Sequence, residues 1–164
     1  IRTIPDVPSP GIMFRDITPL LADPAGLELA ISSIASFCGA SKPHKVVGVE
    51  ARGFIFAAPV AVRIGAGFVP VRKPGKLPWT VVSESYSLEY GTDTLEIHAD
   101  AVGEGDSVVI VDDVLATGGT AAATIRLVEG LGAKVAGLVF LIELPALGGR
   151  KLIEGYEVNS VLSF

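Results

Sequence analysis

The sequence predicts an α/β fold, a mainly parallel sheet flanked by helices, on three observations. Apolar runs at 45–50, 67–71, 107–111 and 135–144 lack the in/out alternation of a half-exposed strand, as strands buried on both faces do. Stretches with helical spacing separate them, the order that builds a parallel sheet. The chain has 164 residues, 49% of them apolar, enough for one domain with a real core.

Each element has its own signal. The opening is a Pro-rich loop (Pro5, Pro8, Pro10, Gly11) that runs into Ile12–Asp16. Leu27–Phe37 has an apolar helical face, and Asp23-Pro24 provides a start for it. The strand ending at Glu50 is followed by Arg52-Gly53 and an apolar helix to Ile64, then by the strand Gly67–Val71. Val81–Ala99 is polar and aromatic, with Gly91-Thr92-Asp93 at its middle, which predicts a β-hairpin or mobile flap. The strand Ser107–Val111 leads to a helix over Thr120–Leu131, stopped by Gly130 and Gly132, and then to the strand Val135–Leu144.

Composition excludes several classes. Eighteen acids against thirteen bases give a net charge of −5, which argues against a nucleic-acid or anionic-membrane partner. Mean hydropathy is +0.54, yet the longest apolar stretches, Phe54–Val62 and Val135–Ile142, fall far short of the ~20 residues of a spanning helix. The surplus of apolar residues predicts a partner subunit. The single Cys38 forms no internal disulfide, and with no visible export signal it predicts a reducing, cytoplasmic setting. The absence of an initiator Met predicts that further residues precede Ile1.

The most informative stretch is Val108–Thr120, where an apolar strand delivers Asp112 and Asp113 to the sheet edge and a Gly118-Gly119 turn opens a helix. Glycines leave room for backbone N–H groups to close around an oxyanion. Thr117 and Thr120 add hydroxyls, and the helix adds its positive end. This is a cradle for a phosphate monoester, Ala116–Thr120. Two acids would repel a bare phosphate, so they suit sugar hydroxyls or a hydrated Mg²⁺. The bland alternative is a capping turn with two solvated acids. A Walker A loop lacks its Gly-Lys-Ser/Thr, a phospho-acceptor receiver would need more chain after Asp113, and no Gly-x-Gly-x-x-Gly opens a helix.

A second anion site is predicted by asymmetry. No acid falls between Glu50 and Glu84, where Arg52, Arg63, Arg72, Lys73 and Lys76 all occur. Arg52 and the Arg72–Lys76 loop follow strand ends on the rim of the phosphate cradle, and a phosphate-rich group suits them. Arg63 sits mid-helix and reads as solvated.

A monoester cradle, an acid pair and a polyphosphate rim together fit phosphoribosyl pyrophosphate. Val109–Thr120 resembles the motif that binds it in type I phosphoribosyltransferases. Pro10–Asp16, Glu50–Phe54, Val71–Pro78 and Ser85–Gly91 resemble the adenine-specific branch of that family, in the same order along the chain. Val114 departs from the Leu common there. The resemblance implies that adenine and phosphoribosyl pyrophosphate give AMP and pyrophosphate, with Mg²⁺, in a homodimer. It places the 5′-phosphate on Ala116, Thr117, Gly118, Gly119 and Thr120, and the ribose hydroxyls and hydrated metal near Asp112 and Asp113. Pyrophosphate falls to Arg52, Arg72, Lys73 and Lys76. Adenine stacks on Phe14, read by backbone groups of Met13 and Arg15, with Val114 on its other face. It also implies a cis peptide near Glu50-Ala51, a hood over residues 1–23 and a lid over 80–100. In that lid Glu89, flanked by Tyr86 and Tyr90, acts on the purine N7 as a partly desolvated acid.

The remaining candidates read as ordinary. Cys38 belongs to the core, and His44 and His98 have no visible partner. Trp79 suits surface packing or a gate, and Glu84, Asp93 and Glu96 are exposed hairpin acids. Three rival functions stand beside the main one: the same transfer to hypoxanthine or xanthine, a non-catalytic regulator that binds phosphoribosyl pyrophosphate, and a plain α/β binding module.

Overall fold

The structure, a computed structural model, describes residues 1–7, 9–87 and 91–164. Its elements run β1 (Arg2–Pro5), β2 (Met13–Asp16), α1 (Thr18–Ala22), α2 (Pro24–Ala40), β3 (Lys45–Val49) and α3 (Gly53–Ile64). Then come β4 (Gly67–Val71), β5 (Val81–Ser87), β6 (Thr92–His98), β7 (Ser107–Leu115), α4 (Gly119–Gly130) and β8 (Lys134–Glu143). Two 3-10 turns, Pro145–Leu147 and Gly149–Ile153, precede β9 (Val158–Ser163). Five strands form one all-parallel sheet in the order β4-β3-β7-β8-β9.

The core lies on both faces of that sheet, which is why its strands read as unbroken apolar runs. Val46, Val109, Val111, Val139 and Leu141 point to one side, against Ile34 of α2 and Phe56 and Val60 of α3. Val47, Val108, Ile110, Leu138 and Phe140 point to the other, against Leu127 and Val128 of α4 and Leu95 and Ile97 of the β5–β6 hairpin. Fully buried side chains such as Phe56 and Ile34 each contribute roughly 1.5–3 kcal/mol. Cys38 is buried in this core, and desolvation pushes its thiol up to about 12. Asp23 caps α2 by accepting from the Gly26 N–H at 2.8 Å, with Pro24 at the first helical position. No helix among the described residues is long and apolar enough to cross a membrane.

Five local expectations are corrected. The Pro-rich opening is a β-hairpin, β1 pairing antiparallel with β2 from Arg2↔Asp16 to Pro5↔Met13. Strand β7 does not stop at Val111. Its pairing with β8 continues through Asp112↔Phe140 to Leu115↔Glu143, so the acid pair sits inside a strand. The edge strand β9 was not expected. Finally, the hairpin acids are not idle: Asp93 pairs with Lys73, Glu84 with Arg126, and Glu96 accepts from the Gly75 N–H at 3.0 Å. Backbone bonds between Arg72 and Glu96 (2.9 and 2.7 Å) fasten the same hairpin to the end of β4. His44 is partnered too, its Nδ1 accepting from the Ser107 N–H at 3.1 Å. Nε2 of His98 is buried without a hydrogen bond among the described residues.

Candidate active site

A cavity of about 480 Å³ opens beyond the carboxyl ends of the parallel strands, where ligands bind in open α/β sheets and within the usual size range for small-molecule sites. One wall is β2, with Met13, Phe14 and Arg15. The floor is Asp112 to Ala121, and Glu50, Ala51, Arg52 and Lys73 close a third side. Leu144, just past β8, also lines it.

The loop after β7 is built for close approach. Gly118 takes φ +86° as it caps α4, a conformation that L side chains rarely adopt, and its carbonyl accepts from the Ala122 N–H at 2.9 Å. Among the described residues, the N–H groups of Ala116, Thr117, Gly118, Gly119 and Thr120 have no protein acceptor. Five donors without a partner among the described residues, along one cavity wall at the positive end of α4, are a set that can hold an oxyanion.

The acid pair lies beside it. Asp113 is 6% exposed and holds the Arg52 guanidinium through its Oδ2. Asp112 is half-buried, and its Oδ1 accepts from the Asp113 N–H at 2.9 Å. Desolvation, then the neighbouring Asp113 charge, raises the Asp112 carboxyl well above its usual range. A side chain at Gly53 would meet Asp112 Oδ1 at 2.7 Å, so that glycine lets the start of α3 close on the acid. No group of three or more His, Cys, Asp or Glu able to cage a metal occurs among the described residues. Two adjacent carboxylates suit instead a hard cation that keeps its waters and arrives with its ligand.

The basic rim is already engaged. Arg72 Nε donates to Glu50 Oε2 at 2.9 Å, and the Lys73 N–H donates to the same oxygen at 2.8 Å. The Lys73 ammonium pairs with Asp93, whose carboxyl that contact holds below its usual range. Glu50 and Asp93 come from outside the acid-free stretch, so the asymmetry visible in the sequence is offset in space. Arg63 pairs with Glu28 at 2.9 Å on the far side of α3 and takes no part.

Of the expected site residues, the fold brings Met13, Phe14, Arg15, Arg52, Lys73, Asp112, Asp113, Val114 and Ala116–Thr120 to one cavity. Arg72 and Lys76 are not among its lining residues. Arg72 is turned to Glu50 and to the Lys76 carbonyl at 3.4 Å, and Lys76 is exposed. Tyr86 is buried under the cradle, its hydroxyl 3.1 Å from both Asp93 Oδ2 and Thr120 Oγ1. Glu89 and Tyr90 lie outside the described residues. Trp79 is 69% exposed. The Glu50-Ala51 peptide is cis. Sequence reasoning missed Glu50 as the common anchor of Arg72 and Lys73, and the only hint of it was its place directly after a strand end. It also missed the seat of Arg15, whose guanidinium lies 4.4 Å over the Phe164 ring.

A parallel sheet with an acid pair and glycine cradle at its carboxyl edge defines a phosphoribosyl transferase domain, and the family model of that description matches residues 20–162. The chain is 58% identical over 164 residues to the adenine phosphoribosyltransferase of Desulfitobacterium hafniense, covering 100% of this chain and 95% of the relative. The enzyme of that name from Kosmotoga olearia is 54% identical, with 100% and 96% covered. The crystal structure of the Thermoanaerobacter pseudethanolicus adenine phosphoribosyltransferase superposes with a TM-score of 0.97 at 54% identity, covering 100% of this chain and 95% of that one. The Saccharomyces cerevisiae enzyme, solved with adenine and an imino-altritol bisphosphate, superposes with a TM-score of 0.93 at 39% identity, covering 98% and 93%. The chain belongs to the adenine phosphoribosyltransferase family.

Proposed function

We propose that this chain transfers the phosphoribosyl group of phosphoribosyl pyrophosphate to adenine, releasing pyrophosphate and AMP. The observation that carries the reading is the set of amides at Ala116–Thr120 that have no partner among the described residues. They share one cavity with an aromatic-bearing strand and with cations held by exchangeable acids. The 5′-phosphate takes those amides and the hydroxyls of Thr117 and Thr120. Asp112 and Asp113 accept from the ribose hydroxyls and from metal-bound water. Adenine lies between Phe14 and Val114, its edge on the backbone of Met13 and Arg15.

Bond breaking at the anomeric carbon leaves an oxocarbenium-like ribosyl centre, and adenine N9 attacks it from the opposite face. Arg52 and Lys73, with Arg72 and Lys76 from the rim, stabilise the charge that grows on the departing pyrophosphate. Asp112 and Asp113 would hold the water shell of a Mg²⁺ that arrives with the diphosphate, and such an ion would supply further neutralisation of that charge. Glu89, between Tyr86 and Tyr90 in the lid sequence, hydrogen-bonds purine N7, and the proton that adenine sheds as its N9–ribosyl bond forms passes to solvent. Residues 1–164 work as one domain, with 1–23 as hood and the hairpin within 80–100 as lid. Exposed Ile55 and Val62, seven residues apart on one face of α3, support a homodimer. The single buried thiol is in keeping with a reducing cytoplasm.

The deciding experiment is a base-competition assay with adenine, hypoxanthine and guanine, using Mg²⁺ and phosphoribosyl pyrophosphate. AMP from adenine alone supports the reading. IMP or GMP at comparable rates overturns the base assignment, and no nucleotide at all overturns the activity.

A further inference from the structure

The cradle has a back wall that its own loop does not supply. Gly149, first residue of the second 3-10 turn, presses on the loop backbone to backbone. A Cβ on Gly149 would lie 2.3 Å from the Ala116 carbonyl oxygen and 3.1 Å from the Gly118 nitrogen. From the other side, a Cβ on Gly118 would lie 2.4 Å from the Gly149 carbonyl oxygen. Two glycines thus meet face to face, one bearing the cradle amides and one behind it. Gly149 has no positive φ, so its lack of a side chain is explained by this close approach alone.

What holds Gly149 there is the next residue. Arg150 forks onto Glu143, Nε to Oε1 at 2.6 Å and Nη2 to Oε2 at 2.7 Å, while Nη1 donates to the Val158 carbonyl at 3.1 Å. Glu143 is 8% exposed at the end of β8, and Oε2 also accepts from Ser160 Oγ at 2.8 Å. The bidentate geometry fixes direction as well as distance. On the far side Ile153, 1% exposed, pins the same turn into the core.

We propose that Gly149, locked by the Arg150–Glu143 fork, is a positioning residue that sets the cradle's shape for the 5′-phosphate from behind. It touches no substrate and acts only through Ala116 and Gly118. The proposal rests on the reading of Ala116–Thr120 as the phosphate site, and two measurements separate the two ideas.

The first is calorimetric binding of ribose 5-phosphate to the native protein and to Gly149→Ala. The second is steady-state kinetics of both proteins and of Arg150→Lys and Arg150→Met, with thermal melts to confirm that each is folded. A methyl group forced against a carbonyl costs about a tenfold loss of ribose 5-phosphate affinity, in the range of other overpacked sites. The expected pattern is a raised KM for phosphoribosyl pyrophosphate in Gly149→Ala and Arg150→Met, with kcat and the KM for adenine near native. Arg150→Lys, which keeps the charge and loses the fork, falls between. Unchanged affinity and KM in a folded Gly149→Ala overturn the positioning role while the cradle stands. Equal changes in both KM values and kcat mark a merely structural role and also overturn it. Failure of the native protein to bind ribose 5-phosphate overturns the cradle reading and this inference with it.

Discussion

The hydroxyls of Tyr86 and Thr120 lie 3.1 Å apart and tie the β5–β6 hairpin to the first turn of α4. Each hydroxyl has one proton. Tyr86 spends its own on Asp93 Oδ2, so Thr120 is the donor in this contact. A phosphate in the cradle asks for that same Thr120 proton. With the 5′-phosphate placed as proposed, it and the hairpin would compete for one hydrogen bond, and Asp93 links the contact to Lys73.

Gly119→Val weakens binding of phosphoribosyl pyrophosphate. A Cβ at Gly119 would meet Tyr86 Cδ2 at 3.0 Å, so the branched side chain displaces the tyrosine as well as crowding the loop. Overpacking of this kind costs about 1–3 kcal/mol, or roughly ten- to a hundredfold in affinity. Isothermal calorimetry checks it, and unchanged affinity would remove Gly119 from the cradle.

Asp112→Asn makes the unliganded protein more stable and the enzyme worse. Desolvation and the Asp113 charge disfavour the Asp112 carboxylate, and asparagine keeps the Oδ1 acceptor for the Asp113 N–H. Urea unfolding at neutral pH should show a higher midpoint. kcat/KM should fall by about ten- to a hundredfold, as for a lost charged hydrogen-bond partner of ~1.5–3 kcal/mol.

Glu89→Ala lowers kcat by about a hundredfold if the residue serves as the acid at purine N7. Its melting temperature should stay close to native. Equal turnover in steady-state assays would exclude Glu89 from the chemistry.

Acid should unfold the chain through its paired carboxyls. Arg150 holds Glu143 below its ordinary 4.5, and Lys73 and Lys45 hold Asp93 and Asp106 below 3.8. A depressed folded value means the stabilisation is complete above the unfolded value and is lost as pH falls through the folded one. Unfolding free energy should therefore be flat on this account near neutrality and drop below about pH 4.5. Glu143→Gln should start lower and fall less steeply, which urea titrations at several pH values would read directly.

The parallel strands were legible because burial on both faces writes itself as continuous Val and Ile, as in Val108–Val111. Strand β9 was not, since it is a half-exposed edge carrying Asn159 and Ser160. The β1–β2 pairing joins two segments across a Pro-rich turn, and nothing local to either segment specifies a partner. Asp112 and Asp113 hid the true end of β7, because acids read as loop although the ladder bonds of β7 do not depend on side-chain charge. Arg52, Lys73 and the cradle residues were legible through their types and their places after strand ends. Glu50, Asp93 and Gly149 were not, because their roles come from contacts with residues distant in sequence.

Arg52, Arg72 and Lys73 each rest on a carboxylate, so the cleft at rest is close to electrically balanced. An arriving polyanion has to trade places with Asp113, Glu50 or Asp93 for every cation it gains, and each displaced acid then needs a new counter-charge. A diphosphate escorted by a divalent ion brings that replacement with it, whereas stray phosphate does not. On the proposed assignment, discrimination among the many phosphorylated solutes of a cell would come from the terms of exchange, not from raw attraction.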